Sequence, residues 1–265
     1  KRLILLFCLL PCLAPLAPAK APNVILVITD DQGYGPVGRH GHPWIKTPNL
    51  DALYDKSARF TRFLVSPTCA PTRSAIMTGR HPLKNGVTHT ILERERMTLK
   101  ATILPQVLKT VGYTSGIFGK WDLGSLQRFL PLQKGFDDFY GLVNTGIDFY
   151  THQRYGVPSM YRNNKLTEED EGTYCTWLFE REALRFLDEH HEKPFFLYLP
   201  FNAPHGASGL EPHVRSGTQA PKEYRDMYPL DGPRFEPGAI AKYSPTSPYA
   251  GKGKRKTRRW RSFNC

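Results

Sequence analysis

Four short stretches hold the side chains best suited to chemistry. Asp30 and Asp31 stand together at the end of an aliphatic run. Two adjacent carboxylates resist being charged together unless a cation sits between them, and a hard divalent ion such as Ca2+ takes oxygen ligands of this kind. Alone, the pair also suits a cap on the turn that follows. Ser66-Pro67-Thr68-Cys69-Ala70-Pro71-Thr72-Arg73 sets a cysteine just ahead of a helix start, with an arginine one turn further on. The positive end of a helix and its free N–H groups favour an anionic sulfur there, and a guanidinium grips an oxyanion with several oxygens. A small buried cysteine beside a surface arginine is the plainer alternative. Lys120, between Gly119 and Gly124, offers an anion a compact positive charge, although a solvated lysine after an edge strand has the same sequence. His205 follows the last aliphatic run and suits a general acid, an anion ligand or a satisfied loop histidine.

These residues need elements that gather them. Pro22 to Asp31 is continuously aliphatic and β-branched, which predicts a strand buried on both faces. Thr47-Pro48-Asn49 starts a helix, with Leu50, Leu53, Tyr54 and Ala58 at helical spacing. Arg59 to Val65 reads as a second strand, Pro71 to Thr78 and Ile103 to Val111 as helices, and Tyr113 to Phe118 as the next strand. Pro131 to Thr173, rich in Gly, Tyr, Asp and Asn, reads as irregular. Thr176 to His190 predicts an amphipathic surface helix and Pro194 to Phe201 a last buried strand. The alternation predicts an α/β fold with a mixed, mostly parallel central sheet sandwiched by helices. In such sheets ligands sit at the carboxyl ends of strands, where Asp30, Asp31, Lys120 and His205 all fall.

With 40% hydrophobic and 12% aromatic residues, the 265-residue chain can build a real core. Its net charge of +12 is uneven. Lys252 to Arg261 holds seven basic residues and no acid, and taking those seven away leaves +5, ordinary for an enzyme. The tail has no nucleic-acid-binding motif, so no specific nucleic-acid partner is expected. Lys1 and Arg2, the apolar run Leu3 to Leu10 and the small-residue stretch ending Ala17-Pro18-Ala19 predict a signal peptide over residues 1–19, hence export. The run is too short to span a bilayer, so no membrane span is expected once the leader is removed. Cys8 and Cys12 leave with it. Cys69, Cys175 and Cys265 remain, an odd count that allows one disulfide and leaves at least one free or modified thiol.

Taken together, the motifs resemble the formylglycine-dependent sulfatases, arylsulfatase-like members of the alkaline-phosphatase superfamily. Cys69-Ala70-Pro71-Thr72-Arg73 matches the signature Cys-x-Pro-Ser/Thr-Arg. Gly112 to Gly124 resembles the second signature, Gly-Tyr-x-Thr-x-x-x-Gly-Lys-Trp-His-Leu-Gly. Asp30-Asp31-Gln32-Gly33 and Ala203-Pro204-His205 match as well, and the likeness runs from Pro22 to about Tyr228. The resemblance implies an alkaline-phosphatase-like fold and hydrolysis of sulfate esters, aryl or carbohydrate. It implies that a formylglycine-generating enzyme or its equivalent converts Cys69 to formylglycine, whose hydrated form attacks sulfur. Asp30, Asp31 and the modified Cys69 would hold Ca2+, Arg73 would orient the nucleophile, Lys120 would bind sulfate and His205 would bind it and assist the leaving group.

The sequence departs from this pattern twice. Asp122 stands where the second signature has His, which predicts lowered activity or an extra metal ligand. No Asp-Asn-Gly motif follows His205, so the metal shell is incomplete and the chain reads as a truncated member. The expected organisation is a leader over 1–19, an incomplete N-terminal catalytic domain over 20–234, and a disordered basic low-complexity tail over 235–265. Two other readings stand beside this one: an inactive truncated relic, and a phosphodiesterase or phosphonate monoester hydrolase of the same superfamily.

Overall fold

The computed structural model describes residues 21–42, 44–210, 217 and 219–228, so the leader, the basic tail and Cys265 lie outside the described residues. β1 (Val24–Ile28) is followed by α1 (Pro48–Asp55), α2 (Cys69–Thr78) and α3 (Leu104–Lys109). β2 (Thr114–Lys120) and β3 (Asp138–Leu142) come next. The short strands β4 (Gln153–Arg154), β5 (Val157–Pro158), β6 (Met160–Arg162) and β7 (Lys165–Leu166) then form two hairpins. α4 (Cys175–His190), β8 (Phe195–Pro200) and α5 (Lys222–Asp226) follow.

The main sheet runs β1-β8-β2-β3-β6-β7, with its first four strands parallel and the β6–β7 hairpin antiparallel. Side chains alternate across it as the pleat requires. Ile117, Phe139, Phe196 and Tyr198 face one way, joining Ala70 and Met77 of α2 and Leu104 and Leu108 of α3. Phe118, Tyr140, Phe195 and Leu197 face the other, against Leu178, Phe179 and Phe186 of α4. The sheet is therefore covered by helices on both faces, as the alternation of elements predicts.

Three expectations need correcting. β1 is not buried on both faces: it lies at the edge of the sheet, and Ile25 and Val27 are 50% and 53% exposed. An aliphatic run reports what a strand can bury, not whether a neighbour covers it. Arg59 to Val65 forms no strand, and Phe60, Phe63, Leu64 and Val65 are exposed. Strand propensity is mostly the benefit of packing against a partner strand, which this segment lacks among the described residues. The stretch Pro131 to Thr173 is not irregular throughout. It contains β3, paired along its length with β2, and the two hairpins.

Candidate active site

The site lies at the carboxyl ends of the parallel strands. Asp30 stands two residues past β1 and is 3% exposed, its N–H donating to the Ala203 carbonyl at 3.0 Å. Lys120, the last residue of β2 and fully buried, donates from Nζ to Asp30 Oδ2 at 2.5 Å. To do so it reaches past the end of β8, which lies between the two strands. Gly119 permits that approach. Its φ is +136°, and a Cβ there would fall 2.2 Å from the Pro200 carbonyl oxygen, so only glycine lets β2 close on β8 at this level.

Arg73, buried on α2, completes the cluster. Its Nη1 donates to the Lys120 carbonyl at 2.6 Å, and its Nη2 lies 3.4 Å from Asp30 Oδ1. Beyond this ion pair with Asp30, Nη2 meets no acceptor at full hydrogen-bond geometry within the described protein. Burial alone would lower Lys120, but Asp122 and Asp30 outweigh it and hold the ammonium above its ordinary value. Burial likewise works to raise Asp30, and Lys120, Arg73 and His205 together keep its carboxyl below the usual range. All three groups are charged at neutral pH.

Cys69 is the first residue of α2 and half-buried. The expectation of an anionic sulfur is corrected here: burial pushes the thiol up, and the carboxylates of Asp122 and Asp30 add to it. Lys120 and Thr90 oppose the rise without reversing it. An unmodified Cys69 is a protonated, weak nucleophile. Its Sγ lies 2.9 Å from Thr90 Oγ1. Thr90 in turn donates to Asp122 Oδ2 at 2.8 Å, and the single Thr145 hydroxyl proton is shared between the Thr90 carbonyl at 3.0 Å and Asp122 Oδ1 at 3.2 Å. Asp122 is fully buried with φ +54°, a left-handed backbone that Asp tolerates better than most residues. A carboxylate only accepts, so Thr90 spends its one proton on Asp122 and must accept from the residue at 69.

Asp31, at φ +59°, points outward with its side chain 62% exposed. His205 Nε2 lies 3.6 Å from Asp31 Oδ2, and its Nδ1 bonds the Gly206 carbonyl at 2.7 Å. That bond fixes the Nδ1 proton and leaves Nε2 facing the site. Asp30, Arg73, Lys120 and, through Thr90 and Asp122, Cys69 are thus brought together, with Asp31 and His205 at the rim.

The donor chemistry fits a hard divalent cation in type. Asp30 and Asp31 are oxygen donors, and the β1–β8 register, which pairs Ile28 with Pro200, sets Asn202 beside Asp30. The Asn202 amide is buried with neither Oδ1 nor Nδ2 partnered. These three residues supply only part of the six to eight oxygens that Ca2+ takes. Among the described residues no group of three or more His, Cys, Asp or Glu is gathered for a metal. Asp122 accepts a hydrogen bond at each oxygen, Oδ2 from Thr90 and Oδ1 from Thr145.

Thr90, Thr145 and Asn202 escape the motif reading. Thr145 follows β3, so the strand-end rule would have found it had β3 been recognised. Asn202 lies between β8 and His205, where an isolated amide carries no signal of its own. Thr90 sits in a loop with no periodicity.

A family model described as Sulfatase matches residues 22–250. Arylsulfatase J of Mus musculus is 34% identical over 223 residues, covering 80% of this chain and 36% of the relative. N-acetylgalactosamine-6-sulfatase of Mus musculus is 34% identical over 231 residues, covering 77% and 44%. The crystal structure of Ps i-CgsB superposes with a TM-score of 0.66 at 31% identity, covering 80% of this chain and 49% of that one. The chain spans less than half the length of each. The match over most of its residues shows that it belongs to the sulfatase family.

Proposed function

We propose that this chain carries a sulfate-ester hydrolysis site in which residue 69, converted from Cys to formylglycine, is the nucleophile. One observation carries the reading: beside Cys69, buried Arg73 and Lys120 converge on Asp30. Two fixed cations at the mouth of a strand end suit the equatorial oxygens of a sulfate ester, and they are already oriented before substrate arrives. The raised Cys69 thiol supports conversion, because the unmodified side chain is a poor nucleophile. Hydrated formylglycine supplies a hydroxyl as attacking group, and bound Ca2+ supplies charge stabilisation on the sulfate oxygens. Asp30, Asp31 and residue 69 are the groups proposed to hold that ion.

Arg73 and Lys120 bind and orient the sulfate, and His205 Nε2 serves the leaving oxygen. The Thr90–Asp122 pair accepts the proton at residue 69. N-acetylgalactosamine-6-sulfatase, named for a sulfated sugar, supports sulfated carbohydrate as the substrate class. The leader over 1–19 implies export, with maturation by a formylglycine-generating enzyme or its equivalent. No helix among the described residues is long and apolar enough to cross a membrane.

The test is turnover of a chromogenic aryl sulfate with added Ca2+, with mass spectrometry of the residue-69 peptide to score conversion. With part of a metal shell and Asp122 in place of His, slow turnover is expected, abolished in Cys69→Ala. Activity surviving in Cys69→Ala, or faster hydrolysis of a phosphodiester than of the sulfate, overturns the reading. Full conversion with no turnover marks an inactive member.

A further inference from the structure

We infer that Tyr198 is a positioning residue for Arg73, its phenol oxygen being the acceptor that steadies the guanidinium while Arg73 engages an anion. The inference rests on the sulfate-ester reading and adds to it a residue that lies outside every motif of the site. Tyr198 is on β8, which runs between β1 and β2, the strands that deliver Asp30 and Lys120. Its register partners are Leu26 of β1 and Ile117 of β2, and Asp30 and Lys120 follow those partners along their strands. The ring stacks on Phe136 with centroids 6.4 Å apart. It belongs to the same packed layer as Ala70 and Met77 of α2, the helix that carries Arg73.

Tyr198 is fully buried, and its Oη meets no hydrogen-bond partner at full geometry among the described residues. Arg73, Asp30 and Lys120 are the charged groups that face it. Burial pushes the phenol up, and the Arg73 charge opposes the rise without reversing it, so the ring carries a neutral hydroxyl. A neutral phenol accepts as well as donates, whereas a guanidinium only donates. Arg73 Nη1 is held by the Lys120 carbonyl at 2.6 Å, while Nη2 has only the 3.4 Å ion pair with Asp30. Nη2 is therefore the end free to turn toward an anion. It carries two protons, and when one goes to a sulfate oxygen the phenol oxygen can take the other. A phenylalanine would fill the same space and offer no acceptor. A buried hydroxyl left without a partner weakens a fold that the plain ring would serve equally well. The hydroxyl is accounted for by what it does once Arg73 has turned.

The experiment is a double-mutant cycle on the full chain, read as affinity for inorganic sulfate and phenyl sulfate, whose binding does not require conversion of Cys69. Tyr198→Phe should weaken both about tenfold, the worth of one hydrogen bond to a charged group. It should melt no more than about 3 °C below the wild type, because the hydroxyl it removes has no partner in the fold. In an Arg73→Lys background the same change should cost less than about twofold, since the guanidinium it steadies is gone. A spectroscopic readout serves should Arg73→Lys fold or bind poorly. The ζ-carbon signal of Tyr198 in tyrosine-labelled chain, assigned by its absence from Tyr198→Phe, should shift when sulfate is added. An unchanged affinity in Tyr198→Phe, an equal loss in both backgrounds, a larger fall in melting temperature or a ζ-carbon signal that sulfate does not move overturns the role of Tyr198 and leaves the sulfate site standing. If the wild type binds neither probe, the sulfate-ester reading falls, and this inference with it.

Discussion

Replacing Asp30 by Asn tests whether the buried charge cluster is as tightly coupled as its geometry implies. The side chains of Lys120, Asp30 and Arg73 are 0%, 4% and 2% exposed. Removing the carboxylate strands two cations out of water, with Asp122 Oδ2, 3.8 Å from Lys120 Nζ, as their remaining counter-charge. One-sided removal of a buried pair costs about 3–5 kcal/mol, a large part of the about 5–15 kcal/mol that holds a domain together. Urea unfolding followed by tryptophan fluorescence, with chelator present to keep adventitious metal out, reads the loss. Lys120→Met made on top of Asp30→Asn should recover part of it, because one stranded cation is then gone. The pH dependence gives a second arm. The folded Asp30 carboxyl titrates below its ordinary 3.8. Its contribution is therefore complete above that value and fades as pH falls through the lower, folded one. The wild-type advantage over Asp30→Asn should be flat from neutral pH down to about 4 and shrink on further acidification. A loss below about 1 kcal/mol for Asp30→Asn, or a double variant less stable than either single one, would refute the reasoning.

Gly119→Ala should cost about 3 kcal/mol or more, because a Cβ 2.2 Å from the Pro200 carbonyl forces β2 away from β8 at a positive φ. Thermal melts would show it, and protection by added sulfate should fall in parallel as Lys120 is drawn from Asp30. Asp122→His should raise aryl sulfate turnover about tenfold, normalised to the formylglycine content of residue 69. No change, or a loss, would show that the Thr90–Asp122 pair already does the work a histidine would.

Much of the site was legible because it depends on residues whose type is the signal. A carboxylate pair, a cysteine followed by an arginine one turn on, and a lysine between glycines all fall where strands or helices begin or end. Their order along the chain locates them at one sheet edge. What sequence hid was neighbourhood. The polarity of Pro131 to Thr173 concealed β3, although Phe139, Tyr140 and Leu142 are the kind of residues a central strand buries, and with β3 went Thr145. The thiol of Cys69 illustrates the converse. Its place at a helix start argued for an anion, but burial and the carboxylates of Asp122 and Asp30 outweigh the helix end, and neither is visible from the motif itself. The exposure of Ile25 and Val27 shows the same limit at β1, where the aliphatic pattern predicts the strand and says nothing of whether a neighbour covers it.

Asp122 also sets the charge of the site. Arg73 and Lys120 bring two positive charges, and Asp30 and Asp122 bring two negative ones, so the buried cluster is balanced before any ligand arrives. A neutral histidine at 122 would leave two cations facing one carboxylate, a net positive site that draws a sulfate ester and supports the charge on its oxygens. Thr90 and Thr145 satisfy the Asp122 oxygens well enough for the fold to tolerate the change. They do nothing to restore the lost attraction. On the proposed function, weaker sulfate binding and slower turnover would have one origin, and the Asp122→His variant should move both together. A variant that recovered turnover while sulfate affinity stayed fixed would place the effect of Asp122 in proton transfer at residue 69 and not in the balance of charge.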